Sequence, residues 1–289
     1  SSIDPKHADT WMSLADRYYY DGHYGGGGSN AFRQSEAAAR QALALDPNRT
    51  AAGVRLFFLQ VEAGRLQDGY DSAVKLVGQR PDSGEAHFAL SYVLRYGGLL
   101  EESARECEQA VSRDPTNSLF RSCVVPFMLL GRYDRALDFI RLDTGSEWSR
   151  VVTRMLYQRM GRRSDAREQH DRLAPEYLRE LAPEMFYGLL ARCLAGGAPD
   201  RPGPLSDADV RTFLTLREDP EPLYFWASDL AYCGYTAQAL QLLRESVRRN
   251  FCASPAISIW TARRRSLPAP RRRTSGRAGR PMAAIPAAT

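Results

Sequence analysis

Four prolines set the frame of this chain. Pro5, Pro47, Pro81 and Pro115 stand in "DPKHA", "DPNRT", "RPDSG" and "DPTNS", with spacings of 42, 34 and 34 residues. Glycines keep the same beat at Gly64 and Gly98, then tighten to 33 and 30 residues at Gly131 and Gly161. Between a glycine and the next proline runs an apolar stripe at helical spacing, as Leu100, Ala104, Cys107 and Val111 in "LLEESARECEQAVSRDP". A second helical pattern precedes the glycine, as in "AHFALSYVLRYGG". Proline cannot continue a helix, and glycine suits the turn after one. The repeating unit is therefore helix, turn, helix, turn, and the chain is expected to be all-α.

A 34-residue helix–turn–helix resembles the tetratricopeptide repeat (TPR), whose pattern is W-x2-L-G-x2-Y, then A-x3-F, then P. Trp11, Leu14 and Tyr18 fit its first part, with Ala15 where the pattern has glycine. The resemblance implies a right-handed α-solenoid held together by neighbour-to-neighbour packing. It extends over a helical domain of residues 1–253, with repeats near 8–49, 50–83, 84–117, 118–145, 146–174, 175–197 and 210–253. "GGAPDRPGPLSDAD" reads as a loop before the last of them. "SSIDPKHA" resembles the end of a second helix, so the chain is expected to start inside a repeat as a fragment of a longer protein. The sequence style is similar to the TPR extensions that follow the catalytic domain in some bacterial serine/threonine kinases and adenylate cyclases.

The stretch "YYYDGHYGGGGSN" raises the one competing idea for the first repeat, a phosphate-cradling loop. A Walker loop needs G-x-x-x-x-G-K-[ST] between a strand and a helix, and neither the lysine nor the strand is present. The first repeat is 42 residues long, eight more than the period. The glycine run accounts for that surplus as a flexible insertion in the turn. Deleting His23 to Asn30 is then expected to leave the fold nearly unchanged.

Little else suggests chemistry. The four histidines are scattered without a ligand partner at i+3 or i+4. His87 and His170 fall at aromatic positions of the repeat and read as core residues. No nucleophile elbow, zinc-protease motif or kinase loop occurs. Five widely spaced cysteines argue against a disulfide framework and for reduced thiols inside helices, Cys123 among them. No apolar run reaches the length of a membrane helix. The expected assignment is a non-enzymatic, cytoplasmic protein with no cofactor and no metal.

The formal net charge of +5 is unevenly distributed. Eight arginines lie between Arg263 and Arg280, and no acid follows Glu245, so residues 1–261 carry a net −3. The segment 254–289 breaks the repeat and is expected to be a disordered basic tail. It reads either as a product of an out-of-frame sequence or as an arm binding nucleic acid non-specifically. That arm is the alternative function.

The resemblance also says where a partner would lie. In TPR proteins, first-helix residues at repeat positions 2, 5, 9 and 12–13 line the concave face. Carried over, these give Asp9, Met12, Asp16, Tyr19 and Tyr20, then Val54, Phe58, Val61 and Glu62. Glu85, Phe88, Tyr92, Arg95 and Tyr96 follow, then Arg121, Val125 and Met128. Tyr19, Phe58, Phe88, Tyr92, Arg95, Tyr96 and Arg121 form the expected binding groove, because aromatics and arginine dominate interface energetics. Replacing Tyr92, Arg95 and Arg121 together is expected to abolish binding without loss of helix. Met12, Asp16, Val54 and Phe58 occupy the places where some relatives carry a carboxylate clamp of Lys and Asn, so that clamp is absent. The expected function is a scaffold for a protein or peptide partner.

Overall fold

Proline and glycine divide the chain as their spacing implies. A computed structural model describes residues 6–24, 27–174, 184–196, 206–216 and 219–251. Among these residues there are fourteen α-helices and no strand. The first six form three antiparallel pairs: α1 (Ala8–Tyr24) with α2 (Gly28–Leu45), α3 (Thr50–Glu62) with α4 (Leu66–Gln79), and α5 (Gly84–Tyr96) with α6 (Leu100–Arg113). A 3-10 helix (Ser118–Cys123) leads into α7 (Val124–Leu129), which pairs with α8 (Tyr133–Ile140). Then come α9 (Glu147–Arg159), α10 (Arg163–Asp171), α11 (Glu184–Leu194), α12 (Asp207–Leu216), α13 (Pro220–Tyr232) and α14 (Thr236–Arg248). No described helix is long and apolar enough to cross a membrane. Residues 1–5 at the expected chain start, the expected repeat at 175–197 in part, and the tail from 252 onward lie outside the described residues.

The same turn recurs inside the pairs. Gly64, Gly98, Gly131, Gly161 and Gly234 all hold φ between +72° and +86°. In each case the next residue's N–H reaches back to the carbonyl five positions earlier, as Leu99 to Leu94 and Arg162 to Tyr157, both at 2.8 Å. This glycine-terminated cap satisfies carbonyls that the helix end leaves free. Across a pair, a small residue lets the helices close in. Ser35, Ser103 and Ser246 on second helices donate to the carbonyls of Ala15, Ser91 and Pro220 on first helices at 2.7, 2.7 and 2.9 Å.

The glycine run behaves differently from the expected swollen turn. α1 has 17 residues and α2 has 18, against 13 and 14 for α5 and α6, so the eight-residue surplus extends both helices by about one turn. The extension is packed: the His23 ring meets Phe32 at 4.9 Å and its Nε2 lies 3.1 Å from Glu62. Deleting His23 to Asn30 would remove these contacts, so the segment is not the dispensable loop that its composition suggests.

The cysteines need a second correction. Cys107 is bonded to Cys123, and Cys193 to Cys233, with Cα separations of 5.9 and 5.6 Å. Each pair joins different helical elements, 16 and 40 residues apart in the chain. Only stacking brings such positions together, which is why cysteine spacing gave no warning. Cys252 lies outside the described residues.

The apolar interior forms three clusters along the stack, as neighbour packing requires. One holds Met12, Ala15, Ala39 and Ala52, another runs from Val54 to Leu156, and the third includes Phe186, Phe213, Leu223 and Trp226. The middle cluster also contains Phe225 and Phe251 from the far end of the chain. The stack therefore curls until Glu221 of α13 and Phe251, just past α14, meet α5. Asn250, at φ +69°, caps α14 and donates its Nδ2 to the Gly64 carbonyl at 2.9 Å.

Gly64 thus has two duties. A Cβ there would come within 2.8 Å of the Arg249 carbonyl, whereas a Cβ at Gly131 would meet nothing. Both glycines share nearly the same φ, +75° and +73°, so left-handed strain cancels between them. Gly64→Ala should destabilise the protein by at least about 1 kcal/mol more than Gly131→Ala in urea unfolding. Equal losses would mean that the ends do not meet.

Candidate functional site

The curl leaves a partly open cavity of about 270 Å³ where the two halves of the stack face each other. Tyr19 and Tyr20 of α1, Phe58 and Glu62 of α3, Phe88 and Tyr92 of α5 and Arg121 of the 3-10 helix line one side. Asp219 and, on α13, Glu221, Phe225, Trp226 and Asp229 line another, with Trp148 and Arg154 of α9 and His170 of α10 beside them. Five expected groove residues (Tyr19, Phe58, Phe88, Tyr92 and Arg121) are thus brought together. The other two, Arg95 and Tyr96, stand behind the wall, 1% and 0% exposed.

Arg95 corrects the picture of an open groove. Its Nη2 lies 2.9 Å from Glu221 Oε1 and donates to Oε2 at 3.1 Å, while Nη1 donates to the Ser122 carbonyl at 2.8 Å. That carbonyl is available because Pro126, four residues on, has no N–H to return to it. Tyr96 donates to Asp219 Oδ1 at 2.9 Å and takes the edge of the Phe251 ring at 4.7 Å. Both residues hold α13 in place. The triple replacement of Tyr92, Arg95 and Arg121 would therefore disturb folding as well as any binding.

Around this contact lies a buried polar network. Glu62 accepts from Tyr19 at 2.6 Å and from Tyr92 at 3.1 Å, with His23 at 3.1 Å. Tyr92 stacks on Tyr96 at 5.0 Å, and the Arg95 guanidinium lies 4.3 Å from the Tyr92 ring centre. Three carboxylates, Glu62, Asp219 and Glu221, are thus buried in one network, and only Glu221 is paired with Arg95. Burial, reinforced by the charge of Glu62, pushes Asp219 up to about 6. Burial also raises Glu221 to about 8, with Asp219 and Glu62 adding to it and Arg95 opposing. Burial works on Glu62 too, but the His23 charge and the bonds from His23, Tyr19 and Tyr92 outweigh it and hold that carboxyl below its ordinary value.

At the other end, Arg154 Nη1 and Nη2 meet Asp229 Oδ1 and Oδ2 at 2.6 and 2.8 Å, both side chains buried. His170 beside them is held below its ordinary value by burial and then by the Arg154 charge. His170 is buried as expected, but against the cavity. His87 is also buried, with Nδ1 2.6 Å from Glu106 Oε2. Among the described residues no group of three His, Cys, Asp or Glu side chains is arranged to hold a metal ion.

Sequence reasoning missed the whole α13 wall. Asp219 caps this helix, accepting from the Glu221 N–H at 3.0 Å, with Pro220 at its first position. The signal available was "EPLYFWASDLAY", an apolar helix carrying Glu221 and Asp229 eight residues apart. Acids in such a helix need a buried partner. Nothing in the sequence says that the partners are Arg95 and Arg154.

No protein-family model matches the chain, and no curated protein matches it. Among solved structures, a thermophilic TPR protein of Thermus thermophilus aligns with a TM-score of 0.52 at 20% identity, over 63% of this chain and 97% of that one. The APC/C hetero-tetramer Cut9–Hcn1 gives a TM-score of 0.54 at 14% identity, over 86% of this chain and 47% of that one. At these identities the likeness establishes the fold, an all-α solenoid of TPR-type helical repeats.

The network implies a pH dependence. Asp219 and Glu221 are raised in the folded protein, so their contribution is fully present below the unfolded values near 4 and is lost as pH rises through about 6 and about 8. Glu62 has the opposite sign and acts only below its ordinary range. The melting temperature should fall by more than about 5 °C between pH 5 and pH 8.5, and Glu221→Gln should flatten the upper part of that fall. A melting temperature that is level or rising over this range would contradict the assignment.

Proposed function

We propose that the protein is a non-enzymatic interaction scaffold, and that a peptide segment of its partner enters the cavity between α5 and α13. The observation that carries this reading is the lining itself. Tyr19, Phe58, Phe88 and Tyr92, with Trp148, Phe225 and Trp226, wall one partly open space, with Arg55 and Arg121 at hand. Such a combination of aromatic walls and a few polar groups is what ligand sites are built from. Arg95 and Tyr96 serve as positioning residues that fix the far wall. The resemblance to repeat extensions of bacterial kinases and cyclases makes a cytoplasmic signalling assembly the natural setting.

Tyr20 and Arg121 give the cleanest test, because they line the cavity while Tyr20 remains 56% exposed and the Arg121 side chain 33% exposed. Twelve-residue peptides selected from a random library against the intact protein should bind Tyr20→Ala/Arg121→Ala at least about tenfold more weakly, with unchanged circular dichroism. Unchanged affinity would move the interface to another face.

A further inference from the structure

The two disulfides differ in what can reach them. Cys107 and Cys123 are 0% and 1% exposed, which shields both sulfurs. Cys233, directly after α13, is 5% exposed, but its partner Cys193, in the last turn of α11, is only partly buried. Thiol–disulfide exchange needs a thiolate to reach one sulfur, and exposed disulfides are the labile ones. Of the four bonded cysteines, Cys193 alone offers that approach. Its bond is also the covalent tie between α11 and α13. The tie lies one helical turn from Asp229, whose carbonyl accepts the Cys233 N–H at 3.1 Å.

Next to Cys193 in the chain, Leu194 lines a groove of about 570 Å³ that is open to solvent. Arg163, Arg167 and Arg172 line it too, with Glu168 and Asp171 between them. The Arg163 guanidinium reaches the turn that ends α11. A Cβ on Gly196 would stand 3.7 Å from Arg163 Nη1, and the Gly196 N–H donates to the Cys193 carbonyl at 3.2 Å. Arg167 pairs with Asp171 at 3.4 Å and Arg172 with Glu168 at 2.5 Å. Arg163 is exposed and has no ion-pair partner among the described residues, so the groove keeps an excess positive charge. A cationic thiol is repelled by such a groove, whereas one that carries carboxylates is drawn to it.

We propose that Cys193–Cys233 is a thiol–disulfide exchange site for a small thiol bearing carboxylates, which docks in the groove against Arg163. The thiol loses its proton to water, and its thiolate attacks Cys193 Sγ. A mixed disulfide forms at Cys193 while the Cys193–Cys233 bond breaks. The electron pair leaves on Cys233 Sγ, which takes a proton from water. A second molecule of the thiol attacking the mixed disulfide releases the oxidised dimer and leaves Cys193 and Cys233 as two thiols. The exchange unties α11 from α13, leaves Cys107–Cys123 intact, and is independent of what the cavity holds.

The probe is glutathione, which carries two carboxylates, incubated anaerobically at about pH 8 with the full chain. The chain carries Cys252→Ser, so that only the four bonded cysteines remain. Acid quenching and peptide mass mapping should trap the first adduct on Cys193. The rate per thiolate should be at least about fivefold above that of the cationic thiol cysteamine at low ionic strength. Arg163→Gln, at an exposed position, and about 0.5 M salt should each bring the two rates within about twofold. A first adduct on Cys233, Cys107 or Cys123 overturns the proposal, and so do free Cys193 and Cys233 thiols in the untreated protein. No exchange in the folded protein, when the urea-unfolded chain does exchange, overturns it as well. Exchange at Cys193 with equal rates for the two thiols removes the groove and, with it, the anionic class of ligand.

Discussion

The ion pair between Arg95 and Glu221 joins helices 126 residues apart in the chain, and the shape of the molecule turns on it. An open TPR stack would present α5 to solvent on its concave side. Here the guanidinium of α5 is drawn to the first turn of α13, and Tyr96, Asp219 and Phe251 close around it. The Ser122 carbonyl, freed by Pro126, fixes the other edge of the same arginine. A buried ion pair is weak evidence for net stability, but removing one member leaves an uncompensated charge and costs about 3–5 kcal/mol. Its contribution is to specify one geometry, in which the far end of the solenoid faces the near end.

That geometry explains why the interior is polar. Burial and the charge of neighbouring carboxylates hold Asp219 and Glu221 above their ordinary range, with only Glu221 paired to Arg95, while tyrosine hydroxyls and His23 hold Glu62. At the other end the Arg154–Asp229 pair repeats the arrangement on a smaller scale. The space left between these two polar centres is walled by aromatic rings and is the cavity.

Much of the local structure was legible because it is encoded locally. The beat of Gly64, Gly98, Gly131 and Gly161 gave the turns, since φ near +75° is a property that one residue type satisfies cheaply. Carrying TPR positions over placed Tyr19, Phe58, Phe88, Tyr92 and Arg121 on one face, and these five do line the cavity. The failures were all long-range. A small curvature per repeat accumulates over the stack, and no single repeat reveals that α13 will meet α5. Arg95 and Tyr96 were therefore read as open surface when they are buried in the closure. The same blindness hid Cys107–Cys123 and Cys193–Cys233. The glycine run misled for another reason, because helix packing of His23 and Phe32 overrode the flexibility that its composition implies.

The central claim is that the ends of the solenoid are locked by Arg95 and Glu221, and a double-mutant cycle reads that lock directly. Unfolding free energies of Arg95→Met, Glu221→Met and the double variant, measured at pH 9 where Glu221 is ionised, isolate the coupling between the two side chains. The account predicts a coupling of at least about 2 kcal/mol, with the double variant more stable than the sum of the single losses implies. Additivity within about 0.5 kcal/mol would show that the two residues do not meet, and the site would go with them.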